Sequence, residues 1–137
     1  MNFAARVYRI AGIIGLIEIV PMYFTESLWG STYPPPVTHP ELYYGFAGVT
    51  LAWQIVFLLL SGDPLRYRLL MLPAILEKAS YAGAAILLFA GGRLASALLV
   101  PAGIDAVLGV LFLIAYLRTG ISAPPDIEPG NNLHAAK

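Results

Sequence analysis

Four long apolar stretches constrain the fold of this 137-residue chain more than any other feature. They cover residues 8–24, 44–60, 69–90 and 94–117. A helix needs about 20 apolar residues to cross a hydrocarbon core of about 30 Å, and each stretch is near that length. Four lone strands could not close a barrel in lipid. The sequence therefore predicts an all-α membrane protein, an antiparallel bundle of four transmembrane helices.

The composition favours a lipid environment for the whole chain. Hydrophobic residues make up 58% of it and charged residues 12%, whereas a soluble domain has about 25% charged residues. A soluble protein of this size could not bury so much apolar surface. The predicted partner is the lipid bilayer, with the cell (inner or plasma) membrane as its location. The formal net charge of zero gives no reason to expect nucleic acid.

The basic residues predict how the helices are oriented. Those outside the apolar centres lie at the amino terminus, in the connection 61–68 and in the tail: Arg6, Arg9, Arg66, Arg68, Arg118 and Lys137. The two opposite connections contain only Arg93. Because basic residues accumulate on the cytoplasmic side, both termini are predicted to be cytoplasmic. Arg6 and Arg9 before IAGIIGL also resemble a signal peptide, but Glu18 and the lack of a cleavage site favour an uncleaved first helix.

The connections differ in length and composition. Residues 61–68 and 91–93 form short turns, so the second, third and fourth helices are predicted to be antiparallel neighbours. The first connection, 25–43, is long, and its Pro34-Pro35-Pro36 run favours an extended polyproline segment over a helix. The tail, 119–137, is rich in Pro, Gly and Asn and is predicted to be disordered.

Each predicted helix places a polar side chain about 12–16 Å from one of its ends, at about 1.5 Å per residue. These residues are Glu18, Gln54, Glu77, Lys78 and Asp105. An ionisable group at that depth costs about 2.5–3.5 kcal/mol on insertion scales, so these groups should face one another inside the bundle. Lys78 is the single cation against three carboxyls, and its simplest partner is Asp105 or Glu18.

This polar layer has two interpretations, a ligand or proton site and a structural network between helices. The candidate ligand-binding residues are Glu18, Gln54, Glu77, Lys78, Tyr81 and Asp105. Ser80 and Ala84 share the helical face of Glu77 and Tyr81. Four small-xxx-small pairs (Ala11/Gly15, Gly48/Ala52, Ala79/Gly83 and Ala102/Ala106) predict close helix packing. No metal site is predicted, because His39 and His134 have no partner at ligand spacing, and no cofactor is indicated.

Three runs, THPELYYGFAGVTLAWQ, DPLRYRLLMLPAILEKAS and GIDAVLGVLFLIAYLRT, resemble small bacterial four-helix membrane proteins. That resemblance implies the fold but no activity. The layout and the stretch EIVPMYFTE, with Glu18, Pro21 and Glu26, are similar to the EXPERA group, which includes emopamil-binding sterol isomerases. The resemblance implies acidic groups facing an apolar cavity. Glu77-Lys78 and Gln54 depart from that group, which weakens the implication of isomerase chemistry more than that of a cavity.

Three functions are compatible with these features. The first is binding of an apolar small molecule or lipid at the polar layer, with isomerase-like proton transfer as a variant. The second is an accessory or structural subunit of a larger membrane complex, assembled with other membrane subunits or with itself. The third is a small proton-coupled transporter, although small multidrug transporters have much shorter connections than 25–43.

Overall fold

The computed structural model describes residues 2–33 and 36–120, and all regular structure within these ranges is helical. The α-helices there are α1 (Phe3–Ile19), α2 (Glu26–Thr32), α3 (Pro40–Gly62), α4 (Met71–Ala90) and α5 (Leu99–Arg118). Short 3-10 turns extend α1 over Val20–Phe24 and precede α4 (Arg68–Leu70) and α5 (Ser96–Leu98). The predicted all-α class is confirmed for these ranges. The predicted disordered tail falls, from residue 121 onward, outside the described residues.

Three helical segments among the described residues are long and apolar enough to cross a membrane. They are Pro40–Gly62, Arg68–Ala90 and Ser96–Arg118, each of 23 residues. Many of their large apolar side chains point outward: Leu69, Leu87 and Leu117 are 74%, 75% and 67% exposed. Apolar surface of this extent marks contact with lipid rather than with water. These three helices thus indicate a membrane protein. α1 is shorter than they are, with 17 residues in α-helical geometry.

The helix ends differ from the predicted ones for local reasons. The side chain of Asn2 caps α1 by accepting a hydrogen bond from Ala5 N at 2.9 Å, so the helix begins at Phe3 rather than at residue 8. Pro40 occupies the first turn of α3, where its missing N–H costs nothing, and α3 begins there rather than at residue 44. Gly92, with a φ of 67°, shapes the turn before α5, which starts later than residue 94.

The long first connection contains a helix that the sequence did not predict. The short helix α2 lies within residues 25–43. Two tyrosines of α3 hold this segment in place: Tyr43 Oη donates to the carbonyl oxygen of Met22 at 2.9 Å, and Tyr44 Oη donates to Glu26 Oε2 at 2.9 Å. The predicted polyproline segment falls at Pro34 and Pro35 outside the described residues.

The packing of the long helices also corrects a prediction. α1 packs against α3 and α5, and α4 packs against α5, but α3 and α4 meet at few positions despite their short connection. Small residues explain the close pairs: a Cβ on Gly12 would lie 2.9 Å from the Leu58 side chain, and one on Gly109 would lie 3.4 Å from Lys78 Cβ. Among the predicted small-residue pairs, both members are buried only in Ala11/Gly15. A gap therefore remains between α3 and α4.

An aromatic cluster fills the half of the bundle where α1 and α4 begin. The Tyr8 ring stacks on Phe112 with centroids 4.2 Å apart, and Phe57 meets Phe112 edge-on at 5.0 Å. All three rings are fully buried. Arg68 ties this end together by donating hydrogen bonds to the carbonyl oxygens of Thr119 and Tyr116 at the end of α5. The centre of this half of the bundle is thus solidly packed, and the larger open space lies in the other half.

Candidate functional site

A cavity of about 590 Å³ occupies the half of the bundle opposite the aromatic cluster. α1, α3, α4 and α5 all contribute to its walls, as does Trp29 of α2. The six polar residues expected to share one layer all line it: Glu18, Gln54, Glu77, Lys78, Tyr81 and Asp105. α1, α3 and α5 each contribute one of these residues, and α4 contributes three. Because four helices bring them together, the cluster depends on the packing of the whole bundle.

Lys78 is the centre of the polar cluster. Its side chain is only 7% exposed, and its Nζ lies 2.9 Å from Asp105 Oδ1 across the α4–α5 interface. The same Nζ lies 3.3 Å from Glu77 Oε2 and donates to Glu77 Oε1 at 3.4 Å. Of the two partners expected for Lys78, the structure shows Asp105 and not Glu18. The ammonium also lies 5.4 Å from the centroid of the Phe57 ring, so the cluster rests on the aromatic half of the bundle.

Two buried acceptor oxygens of the cavity wall make no hydrogen bond with the described residues, but they differ. Glu77 Oε2 lies 3.3 Å from Lys78 Nζ in an ion pair, whereas Gln54 Oε1 has no donor near it among the described residues. The Gln54 side chain is held by its own helix, since its Nε2 donates to the carbonyl oxygen of Thr50 at 3.0 Å. Gln54 is 1% exposed, so its free oxygen has no route to bulk water. A buried acceptor without a donor costs about 1–3 kcal/mol. This cost is removed when a molecule in the cavity donates a hydrogen bond to it.

Glu18 contributes a second acid without a cation. It lines the cavity from α1 but forms neither an ion pair nor a hydrogen bond with any described residue. Its carboxyl therefore differs from that of Asp105, which Lys78 holds directly. Counting formal charges, the cavity carries three acids and one base, and Lys78 is already shared between two of the acids. The arrangement thus presents more hydrogen-bond acceptors than donors.

Gly15 allows the Gln54 side chain to reach this position. A Cβ at Gly15 would collide with the Gln54 amide, so the bare glycine backbone forms the surface on which the amide lies. Both residues are buried at the α1–α3 contact. The signal in the sequence was the Ala11/Gly15 pair, which predicted close packing but not the identity of the side chain that fills the space.

We expect Gly15→Ala to change the site more than the stability. The added methyl pushes the Gln54 amide aside, and such overpacking lowers the free energy of unfolding by about 1–3 kcal/mol. Replacing Gly by Ala inside a helix raises the free energy of unfolding by about 1 kcal/mol, which offsets part of that loss. The thermal unfolding midpoint in mild detergent should therefore fall only slightly, whereas binding in the cavity weakens. The matched control is Gly83→Ala, where an added Cβ meets no atom within 4 Å. Equal binding by both variants would contradict the placement of Gln54.

Helix α4 shows where the sequence-based face assignment was right and where it was wrong. Tyr81 lines the cavity one turn beyond Glu77, as their spacing suggests. Ser80 and Ala84, assigned to the same face, are exposed on the outside of the bundle. The Ser80 hydroxyl donates to the carbonyl oxygen of Glu77 at 2.9 Å and is satisfied within its own helix. The cavity face of α4 is thus narrower than predicted.

The apolar wall of the cavity was not predicted. It comes from the 3-10 turn after α1, α2, the start of α3, the segment before α5 and the start of α5: Met22, Trp29, Phe46, Leu94, Leu98 and Pro101. Among the aromatic residues of the first connection, Trp29 and Tyr43 line the cavity. Together with the polar cluster they form a pocket that is apolar for most of its length and polar at its deep end, a pattern typical of small-molecule sites.

Three comparisons with known proteins give no relative on which to base a function. No protein-family model matches the chain, and no curated protein or solved structure matches it either. The described residues also contain no group of three side chains that could hold a metal ion. The function must therefore be argued from the cavity itself.

Proposed function

We propose that the chain crosses the membrane four times, with both ends on the cytoplasmic side. α1 continues without a break into the 3-10 turn Val20–Phe24, and together they are long enough to traverse a bilayer with Arg6 and Arg9 at one interface. The starts of α1 and α4 and the ends of α3 and α5 share one end of the bundle, where the basic residues collect. The positive-inside tendency then assigns that end to the cytoplasm.

We further propose that the cavity binds an apolar small molecule or lipid inside the membrane. The observation that carries this proposal is the convergence of all six polar residues on one space of about 590 Å³. Ligand sites are typically about 300–1,000 Å³, apolar, with a few polar groups that fix orientation. A purely structural polar network would be expected to fill its space and satisfy its own hydrogen bonds. This one leaves both an open volume and unpaired acceptors.

The unpaired acceptors indicate which polar group the ligand carries. Gln54 Oε1 lacks a hydrogen-bond donor, and Glu18 lacks a partner altogether among the described residues. A hydroxyl, amide or protonated amine would satisfy them, whereas a carboxylate or phosphate would meet acids with no donor to spare. The ligand is therefore a hydrophobic molecule with one hydrogen-bond-donating end, which lies at the deep polar end of the cavity while its apolar body follows the aromatic wall.

Binding can be tested on the ligand that stays with the protein during purification. Native mass spectrometry of the chain in mild detergent should show a bound hydrophobic molecule, which organic extraction then identifies. Glu18→Gln removes the carboxylate that accepts a charge-assisted hydrogen bond, a loss of at least about 1.5 kcal/mol, so the affinity for the ligand should fall about ten-fold or more and its occupancy should fall with it. The matched control is Glu41→Gln, because Glu41 lies in the first turn of α3 and pairs with exposed His39.

Two results would contradict the binding proposal. One is a chain that carries no small molecule from any lipid extract offered to it. The other is equal occupancy in Glu18→Gln and Glu41→Gln with both variants folded. Isomerase-like chemistry is a narrower version of the same proposal, since Asp105 is paired with Lys78 and Glu18 is not. Two carboxyls in such different surroundings could divide the acid and base roles of a proton shift.

An accessory role in a larger complex has one observation in its favour. Ala79 and Gly83 lie on the outside of α4 and leave space for a neighbouring helix, since a Cβ on Gly83 would meet nothing within 4 Å. Fixed membrane partners after gentle purification, together with an empty cavity, would favour this role over ligand binding. A proton-coupled transporter would instead need a second copy to complete a pathway, so a strictly monomeric chain would exclude it.

A further inference from the structure

A second, smaller cavity lies at the other end of the bundle, far from the polar cluster. Its volume is about 230 Å³, and it is formed where the start of α1, the turn before α4 and the end of α5 meet. Its described lining residues are Asn2, Phe3, Ala4, Leu65, Arg118, Thr119 and Gly120. No acidic side chain is among them. Arg118 is the one charged residue of this set.

The Arg118 guanidinium is positioned but not neutralised. It lies over the Phe3 ring, with Cζ 5.1 Å from the ring centroid, and it forms no ion pair with the described residues. Stacking on an aromatic face leaves the donors at the edge of the guanidinium free for a planar or tetrahedral anion. Arg68, by contrast, is already engaged by the carbonyl oxygens of Thr119 and Tyr116. Arg118 is therefore the anion-binding group available to this cavity.

A second donor also lines this cavity. Asn2 uses its Oδ1 to cap α1, so its side-chain N–H₂ is left to donate. The Thr119 hydroxyl is occupied, since it donates to the carbonyl oxygen of Ala115 at 2.8 Å. Phe3, Ala4 and Leu65 provide apolar surface beside these polar groups. A ligand here meets one cation, one amide and an apolar wall.

The surrounding charge favours an anion. Among the described residues of this end, the arginines are Arg6, Arg9, Arg66, Arg68 and Arg118, and the single acid is Asp63. Asp63 uses its Oδ1 to accept a hydrogen bond from Arg66 N at 3.1 Å. The end therefore carries a net positive potential at the level where α1 begins and α5 ends. In a four-crossing protein that level is the head-group region of the bilayer.

We propose that the second cavity binds the phosphate of an anionic phospholipid head group, held between Arg118 and the side-chain amide of Asn2. The guanidinium makes paired hydrogen bonds to the phosphate oxygens. The glycerol and the start of an acyl chain lie against Phe3 and Leu65. This site rests on the four membrane crossings proposed above but is independent of any ligand in the central cavity.

The test is a lipid titration of the full chain in mild detergent, followed by native mass spectrometry. Phosphatidylglycerol and phosphatidylcholine with identical acyl chains are the probes, and inorganic phosphate is the free-anion probe. The wild-type chain should retain one phosphatidylglycerol at concentrations where phosphatidylcholine is lost. Arg118→Gln should weaken that binding about five-fold, the usual effect of one arginine near anionic lipid, and Arg118→Lys should restore part of it.

Arg66→Gln is the matched control, because Arg66 lies at the same end but does not line the cavity. It should change phosphatidylglycerol binding less than about two-fold, and thermal unfolding in lipid-free detergent should show that every variant folds. An equal loss in Arg66→Gln would mean a diffuse basic surface and overturn the site, as would unchanged binding in Arg118→Gln. Displacement of the lipid by inorganic phosphate would also overturn it. Glu18→Gln should retain phosphatidylglycerol, which separates this test from that of the central cavity.

Discussion

Replacing Lys78 by Met should destabilise the protein more than any other single substitution in the central cavity. Lys78 Nζ is the cation for both Asp105 and Glu77, at 2.9 and 3.3 Å. Without it, two largely buried carboxyls face each other with no counter-charge. Removing one partner of a buried ion pair typically costs about 3–5 kcal/mol. The thermal unfolding midpoint, followed by circular dichroism in mild detergent, should fall accordingly.

Neutralising the two acids should recover much of that loss. In the triple variant Lys78→Met, Glu77→Gln and Asp105→Asn, no unpaired buried charge remains in this cluster, and apolar or amide replacement of a buried pair is often close to neutral. Arg93→Met is the control for loss of a cation, since Arg93 is exposed in the turn before α5. A Lys78→Met variant as stable as Arg93→Met would show that Lys78 is not the partner that keeps these carboxyls in the bundle.

The depth of the polar residues was predictable because helix geometry is regular. A rise of about 1.5 Å per residue places Glu18, Gln54 and Asp105 at similar levels once the helix ends are roughly known. The cost of burying charge in lipid then requires such groups to face inward. The inward-facing requirement holds for each helix whatever its neighbours are, so all six residues line one cavity although α3 and α4 pack less closely than predicted.

The choice of partners within the layer could not be predicted. From the sequence alone, either Asp105 or Glu18 could be the partner of Lys78. Which of them forms the ion pair depends on how closely α4 approaches α5. That approach depends on Gly109, because a Cβ at this position would lie 3.4 Å from Lys78 Cβ and a larger side chain would push the helices apart. Small residues are frequent throughout this chain, so the sequence does not mark which of them lie at a contact. Ala79 and Gly83, equally small, are exposed.

The apolar wall was missed for a different reason. The proline run favoured extended structure in residues 25–43, whereas α2 forms just before it. The contacts that hold α2, such as Tyr44 Oη to Glu26 Oε2, join residues far apart in sequence. No local pattern indicates such a contact. Trp29, which lines the cavity, looks the same in sequence as an aromatic residue that faces lipid.

Replacing Phe57 by Ala should have the second largest effect, because its ring is at the centre of the aromatic cluster. Phe57 is fully buried between Tyr8 and Phe112 and lies under the Lys78 ammonium. In soluble cores such a substitution costs about 3–5 kcal/mol. In a bilayer the helices associate through packing rather than the hydrophobic effect. We therefore expect Phe57→Ala to lower the free energy of unfolding by roughly half of the value for soluble cores. The unfolding midpoint in mild detergent measures it.

Leu59→Ala is the matched control, since Leu59 is 58% exposed on the same helix and should lose almost no packing. Phe57→Leu separates two roles of the ring, because it keeps most of the volume but removes the aromatic face beneath Lys78. If filling space is the main role of the ring, the free energy of unfolding of the Phe57→Leu variant should fall by less than about 1.5 kcal/mol. If Phe57→Ala proved no worse than Leu59→Ala, the aromatic cluster would not be a main source of the stability of the bundle.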